Sequence, residues 1–254
     1  MNELMQAVTE NLIFVAEFLG IVAVMFAVAY IFEKRAMKKK EEKERIFSTR
    51  KVAMIGMFSA IAVILMLLEI PVFFAPGFYK LDLSEIPALI GAFAFGPIAG
   101  VTIEFCKILL ELLLRGTTTA FVGELANFII GCSFLLPASI IYMSKKSKKM
   151  ALIGSVTGTL CMTVFGTAFN AIYLLPKFAQ LYGMPLDTIV GMGTAINPAI
   201  NSVTTLVIFA VAPLNILKGG VVSSVTVLVY KKLSPILKEG HKKRDIRKAV
   251  STEN

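Results

Sequence analysis

Asn215 and Lys218 stand three residues apart in the string PLNILKGG, a spacing that puts an amide and an ammonium on one face of a helix. Asn170, in TAFNAIYLLP, falls near the end of another apolar run. In hydrocarbon a polar group without a partner costs kilocalories, so all three side chains must face a cavity or another polar group. Taken singly, each asparagine reads as a helix-to-helix hydrogen bond. At one depth beneath a stiff polar loop, the three together read as a binding pocket. Glu124 and Asn127, again three apart, open a further apolar run from the same side and can face the same space. Phe78, Leu81 and Asp82, in PGFYKLDLSE, can close over it. The chemistry on offer is recognition: asparagine supplies a donor and an acceptor, and lysine supplies donors.

A second polar set is Glu104, Lys107 and Glu111, which share a helix face at spacings of three and four. Together with Glu124 these could serve as acid–base groups of a membrane enzyme acting on a lipid or isoprenoid, but opposite charges on one face neutralise each other, and structural ion pairing is the favoured reading for the three. Cys106, Cys132 and Cys161 sit in separate apolar runs, and His241 is the only histidine. No metal site, haem ligand set or Cys-His nucleophile is expected from such spacing, and no cofactor is expected. No GxxxxGK[ST] string occurs, so any energy for transport must come from another chain.

The elements that must position these residues are membrane helices. Of the 254 residues, 56% are hydrophobic and 17% charged, a balance typical of multi-spanning membrane proteins. The +9 net charge is concentrated. Nine Lys/Arg lie between Lys34 and Lys51, four between Lys145 and Lys149, and eight after Tyr230, together 21 of 26. Each cluster flanks an apolar run, so the charge reads as a positive-inside topology signal and no nucleic-acid partner is expected. Seven crossings place every cluster on one side: 12–32, 52–70, 86–95, 98–114, 125–142, 150–175 and 214–230. The expected fold is therefore all-α and polytopic, with the N-terminus outside and the C-terminus in the cytoplasm.

The first run follows Glu3 and Glu10 and carries its positive charge behind it, the polarity of a retained helix and the reverse of a cleaved signal peptide. The charged string KKKEEKER after it reads as a solvated helical linker. Gly96-Pro97 predicts a tight turn between the third and fourth runs, with the third helix beginning near Leu83. The segment from Pro176 to Asn201 reads as a broad outer region. Ser202 to Ala212 is either interfacial or the start of the last helix. Gly56 and Ala60, four apart on the second run, permit close approach of another helix, either within the chain or from a partner.

The strings KLDLSEIPALIGAFAFGPIAG, GELANFIIG and PLNILKGGVVS, in that order, closely resemble the substrate-binding S component of energy-coupling factor (ECF) vitamin transporters, of the riboflavin type. The resemblance runs over roughly Thr49 to Leu237. It implies a six-helix binding core at 49–237, preceded by an added transmembrane helix and linker at 1–48 and followed by a basic tail at 238–254. It further implies a cell-membrane protein that takes riboflavin as its transported ligand. A membrane coupling subunit and two ATP-binding subunits would drive uptake, with lipid around the chain. Asn170 matches the asparagine of the family's fifth-helix motif, and Asn215 with Lys218 match the Asn-x-x-Lys of the sixth. S components dock through small residues on the first core helix, which implies that role for Gly56 and Ala60. The absence of an outer arginine cluster suits the free vitamin over a nucleotide flavin. An S component for another vitamin is the alternative within the family.

Overall fold

The structure is a computed structural model and describes residues 12–39, 48–117, 119 and 121–229. Most of the expected charged linker, the end of the last crossing and the basic tail lie outside the described residues. All seven apolar runs form helices: α1 (Leu12–Lys39), α2 (Thr49–Leu67), α3 (Glu85–Phe95), α4 (Pro97–Arg115), α5 (Val122–Ser144), α6 (Lys148–Tyr182) and, after a short α7 (Leu186–Thr194), α8 (Val203–Val229). Five of them, α1, α2, α5, α6 and α8, are long and apolar enough to cross a membrane. The only strand pairing among the described residues is an antiparallel ladder of β1 (Ile70–Pro71) with β2 (Lys80–Leu81).

The α3–α4 hairpin turns at Gly96, whose φ of 99° is reached readily only by glycine. Pro97 follows at the first position of α4, where its missing N–H removes no helical bond. Helix α3 begins at Glu85, slightly later than the sequence suggested, and Asp82 Oδ1 accepts from the Ser84 N–H just before it.

Helix α6 departs from expectation, because it does not end at Pro176. A π turn at Asn170–Leu174 precedes that proline, which then lies at the start of the restored α segment. The missing donor of Pro176 thus falls where the hydrogen-bond register changes, and the helix continues to Tyr182. The same device recurs in α8, where a π turn at Val207–Val211 precedes Pro213. Ser202 and Thr205 form a capping box at the start of α8, so Ser202 to Ala212 is the beginning of the last helix. The two π turns pack against each other.

Helix α1 packs on α4 and α5. Phe18 meets Phe128 of α5, and Phe26 meets Phe105 of α4 edge-on. At its far end the buried Glu33 pairs with Lys51 at 2.9 Å and accepts from the Ile98 N–H at 2.9 Å, capping the first turn of α4. The chief core, centred on Leu89, Phe93, Ile103 and Phe134, joins α2 to α6 and α8. A smaller apolar cluster of Ala75, Ile189, Ile200 and Leu206 ties the 71–80 loop to α7 and the start of α8.

Candidate functional site

Above the main core lies a cavity of about 180 Å³, enclosed by the 78–85 segment, α5, the π-turn region of α6, and α8. A water molecule occupies about 30 Å³ in the liquid, so a space of this size suits an organic ring system better than a lone ion. Of the eight ligand-contact candidates from the sequence, Phe78, Asp82, Asn127, Asn170, Asn215 and Lys218 line the cavity. Leu81 is half-buried in the β ladder opposite Ile70, and Glu124 is turned to accept from the Thr119 hydroxyl at 2.7 Å; neither is in the lining.

The π turn aims Asn170 and Leu174 together at the cavity. Asn170 Nδ2 donates to the Gly166 carbonyl at 2.9 Å, and its Oδ1 accepts from the Tyr79 hydroxyl at 3.0 Å. Tyr79 was not singled out from the sequence, where it reads as one more polar residue of the loop. Burial pushes its hydroxyl pKa well above the ordinary tyrosine value, so it stays a donor. Asn215 is 5% exposed, and its Nδ2 has no hydrogen-bond partner. Gly166 makes room for it: a Cβ at that position would come within 2.7 Å of Asn215 Nδ2. Asn127, half-buried on α5, lines the same cavity.

Lys218 is already engaged. Its Nζ donates to Asp82 Oδ2 at 2.8 Å and forms an ion pair with Glu85 Oε2 at 3.0 Å, at an angle that misses a hydrogen bond. Glu85 Oε1 accepts from Lys107 at 3.1 Å, and Lys107 pairs with Glu104 at 2.7 Å and donates to Ser84 Oγ at 2.7 Å. Three carboxylates and two ammonium groups thus alternate along a chain from the loop to α4, every one at most 8% exposed. Burial works to raise the Asp82 pKa, but the ammonium groups of Lys218 and Lys107 outweigh it and hold the carboxyl well below its ordinary range.

The expected pairing of Glu104 with Lys107 is present, but Glu111 takes no part in it. Its Oε2 is buried without a hydrogen-bond partner, and Glu85 occupies the place the sequence reading gave to Glu111. Glu85 stands in the string LDLSEIPALIG at the head of the third apolar run, but no spacing along the chain ties it to Lys107, 22 residues on. No group of three or more His, Cys, Asp or Glu side chains among the described residues could hold a metal ion.

The family model for the substrate-specific component of ECF transporters matches residues 50–230. This chain is an ECF S component. The S component is 35% identical over 189 residues to the riboflavin transporter RibU of Staphylococcus aureus (strain TCH60), covering 74% of this chain and 93% of that one. It is 30% identical to the riboflavin transporter FmnP of Bacillus subtilis (strain 168), covering 75% of this chain and 95% of the relative. A solved S component of a bacterial ECF transporter superposes with a TM-score of 0.58 at 36% identity, over 74% of this chain and 98% of its own. Membership places the S component in transport, and the membrane-enzyme alternative gives way to it.

Proposed function

We propose that this S component binds riboflavin in the cavity beneath the 71–81 loop and delivers it to a membrane coupling subunit driven by two ATP-binding subunits. The observation that carries the reading is the buried, unpartnered Asn215 Nδ2, on the wall of the cavity that Asn170 and Lys218 also line. A buried donor without an acceptor is costly, and a carbonyl on a flavin's pyrimidine edge supplies one. Asn127 offers both a donor and an acceptor to the same edge, while Phe78, Leu174 and Phe178 supply apolar walls for the rings. The curated relatives quoted above are riboflavin transporters, which supports the choice of vitamin.

Riboflavin titration of the purified protein, followed by quenching of flavin fluorescence, tests this. Wild type should bind, and Asn215→Ala should weaken binding by roughly three- to tenfold, the value of one hydrogen bond. Absence of quenching in folded wild type would remove riboflavin as the ligand and favour another vitamin. Equal affinity in Asn215→Ala would move the site.

The binding core is assigned to 49–237, with 1–48 as an added helix and linker and 238–254 as a tail; the family match at 50–230 falls inside that core. The S component is placed in the cell membrane with its basic clusters in the cytoplasm, the loop from Pro71 to Glu85 and the N-terminus outside, and lipid against its exposed apolar faces. Phe73, 91% exposed at the loop, and Lys146, exposed between α5 and α6, report on this orientation. With Cys106, Cys132 and Cys161 replaced by alanine, an impermeant thiol reagent applied to intact cells should label Phe73→Cys and spare Lys146→Cys. The reverse pattern would invert the topology.

The docking face assigned to the coupling subunit is the Gly56–Ala60 side of α2. Both residues are exposed, and a Cβ placed on Gly56 meets nothing within 4 Å. Close approach by a foreign helix is thereby open on this face.

A further inference from the structure

The added helix α1 reaches the ligand cavity indirectly, through the back of its outer wall. Glu17, in the outer part of α1, accepts through Oε2 from the Tyr173 hydroxyl at 2.6 Å and lies 3.8 Å from Lys177 Nζ. The same ammonium stands 5.3 Å from the ring centroid of Phe14, one turn earlier on α1. Tyr173 in turn stacks on Phe169 with ring centroids 5.2 Å apart. Tyr173 and Lys177 are four apart and form the outward side of the α6 segment whose inward side, Asn170, Leu174 and Phe178, lines the cavity.

This segment needs support from outside its own helix. It includes the π turn at Asn170–Leu174 and Pro176, so its backbone ladder changes register and lacks one donor there. At 1.5 Å per residue, the 35 residues of α6 rise roughly 50 Å against a hydrocarbon core of about 30 Å, so its outer end extends past what one crossing needs. On the cavity side, Phe178 stacks on the loop residue Phe78 at 5.8 Å and on its own-helix neighbour Tyr182 at 4.4 Å, while Leu175 and Ala179 pack into the apolar cluster with Ile189 and Ile200; the polar contacts of the outward side come from α1. Helix α1 lies outside the residues matched by the family model, so this clamp belongs to the part of the chain added to the shared core.

We propose that Glu17 is a positioning residue for the ligand site, holding Tyr173 and Lys177 from α1 so that the outer end of α6 stays closed against the cavity. Its effect is on residence time. A wall held shut slows departure of a bound ligand, while the polar contacts that choose the ligand are left unchanged. Glu17 is exposed enough for its removal to leave the core packing intact, with 43% of its side chain accessible.

The inference rests on the riboflavin reading, and the full-length protein tests both. Riboflavin dissociation is followed by recovery of flavin fluorescence on dilution. Glu17→Ala and Tyr173→Phe should each speed dissociation about three- to tenfold, with association changed less than twofold. The double variant should be no faster than the faster single, because both remove one contact. Glu17→Gln keeps an acceptor for the Tyr173 hydroxyl and should stay within about twofold of wild type. Unchanged dissociation in both single variants, or fully additive effects, would overturn the proposal. Amide hydrogen exchange of the ligand-free protein gives an independent reading, with residues 174–182 expected to exchange faster in Glu17→Ala. If wild type fails to bind riboflavin, the proposed ligand falls, and exchange alone decides the clamp: unchanged rates there refute it.

Discussion

Lys218→Ala is expected to raise the Kd for riboflavin by more than about tenfold, because a hydrogen bond from a charged donor is worth about 1.5–3 kcal/mol. The loss has two sources. At the proposed site a donor to the ligand would disappear, and Asp82 and Glu85 would be left as neighbouring buried carboxylates on the cavity wall, with Lys107 the remaining close cation among the described residues. Asp82 also fixes the end of the loop that closes the cavity, through the Ser84 N–H, so a repelled Asp82 opens the site as well.

The sign of the pH dependence follows. In wild type, Asp82 is held ionised far below the ordinary carboxylate range, so its own titration should leave affinity unchanged between pH 7 and pH 5. Without Lys218 the largest opposing influence on the burial effect is gone, the Asp82 pKa rises, and affinity of the variant should improve as the pH falls through its new value. Asp82→Asn in the Lys218→Ala background should recover part of the binding at neutral pH by removing the stranded charge. Fluorescence titration of the three proteins at pH 7 and pH 5 measures all of this. A Lys218→Ala protein within threefold of wild type, or a double variant worse than the single, would show that the ionic chain is not part of the site.

Ala60→Leu should reduce cellular riboflavin uptake to background and abolish co-purification with the coupling subunit, while leaving Kd for riboflavin within about twofold. The physical basis is the emptiness of that face. Val52, Gly56, Ala60 and Ile64 recur every four residues along α2 and are all exposed, and a Cβ on Gly56 meets nothing within 4 Å among the described residues. A partner helix packed against small residues has no room for three further carbons. Loss of uptake and of binding in the same proportion would assign Ala60 to internal packing. Unimpaired uptake would place the docking face elsewhere.

The sequence carried the helical architecture in its long apolar runs and in three basic clusters, because a bilayer demands about 20 apolar residues per crossing and leaves little other choice of structure. It also marked Asn170, Asn215 and Lys218, since polar groups in hydrocarbon need partners wherever the chain takes them. Pro176 misled as a helix end because a single proline gives no sign that a π turn will absorb its missing donor. Glu111 misled in a similar way: spacing along one helix shows which side chains share a face, and a carboxylate from another helix, Glu85, can arrive closer.

What the sequence by itself determined is the membrane architecture, the tight Gly96-Pro97 hairpin and the polar types that a site must contain, all consequences of local chain chemistry and of the solvent around it. Only the tertiary structure decided that Lys218 is held by Asp82, 136 residues away, that Asn215 Nδ2 is left without a partner, and that Glu17 of the added helix grips Tyr173, 156 residues away. Such contacts depend on how helices rotate and cross, which is set by the packing of many side chains at once.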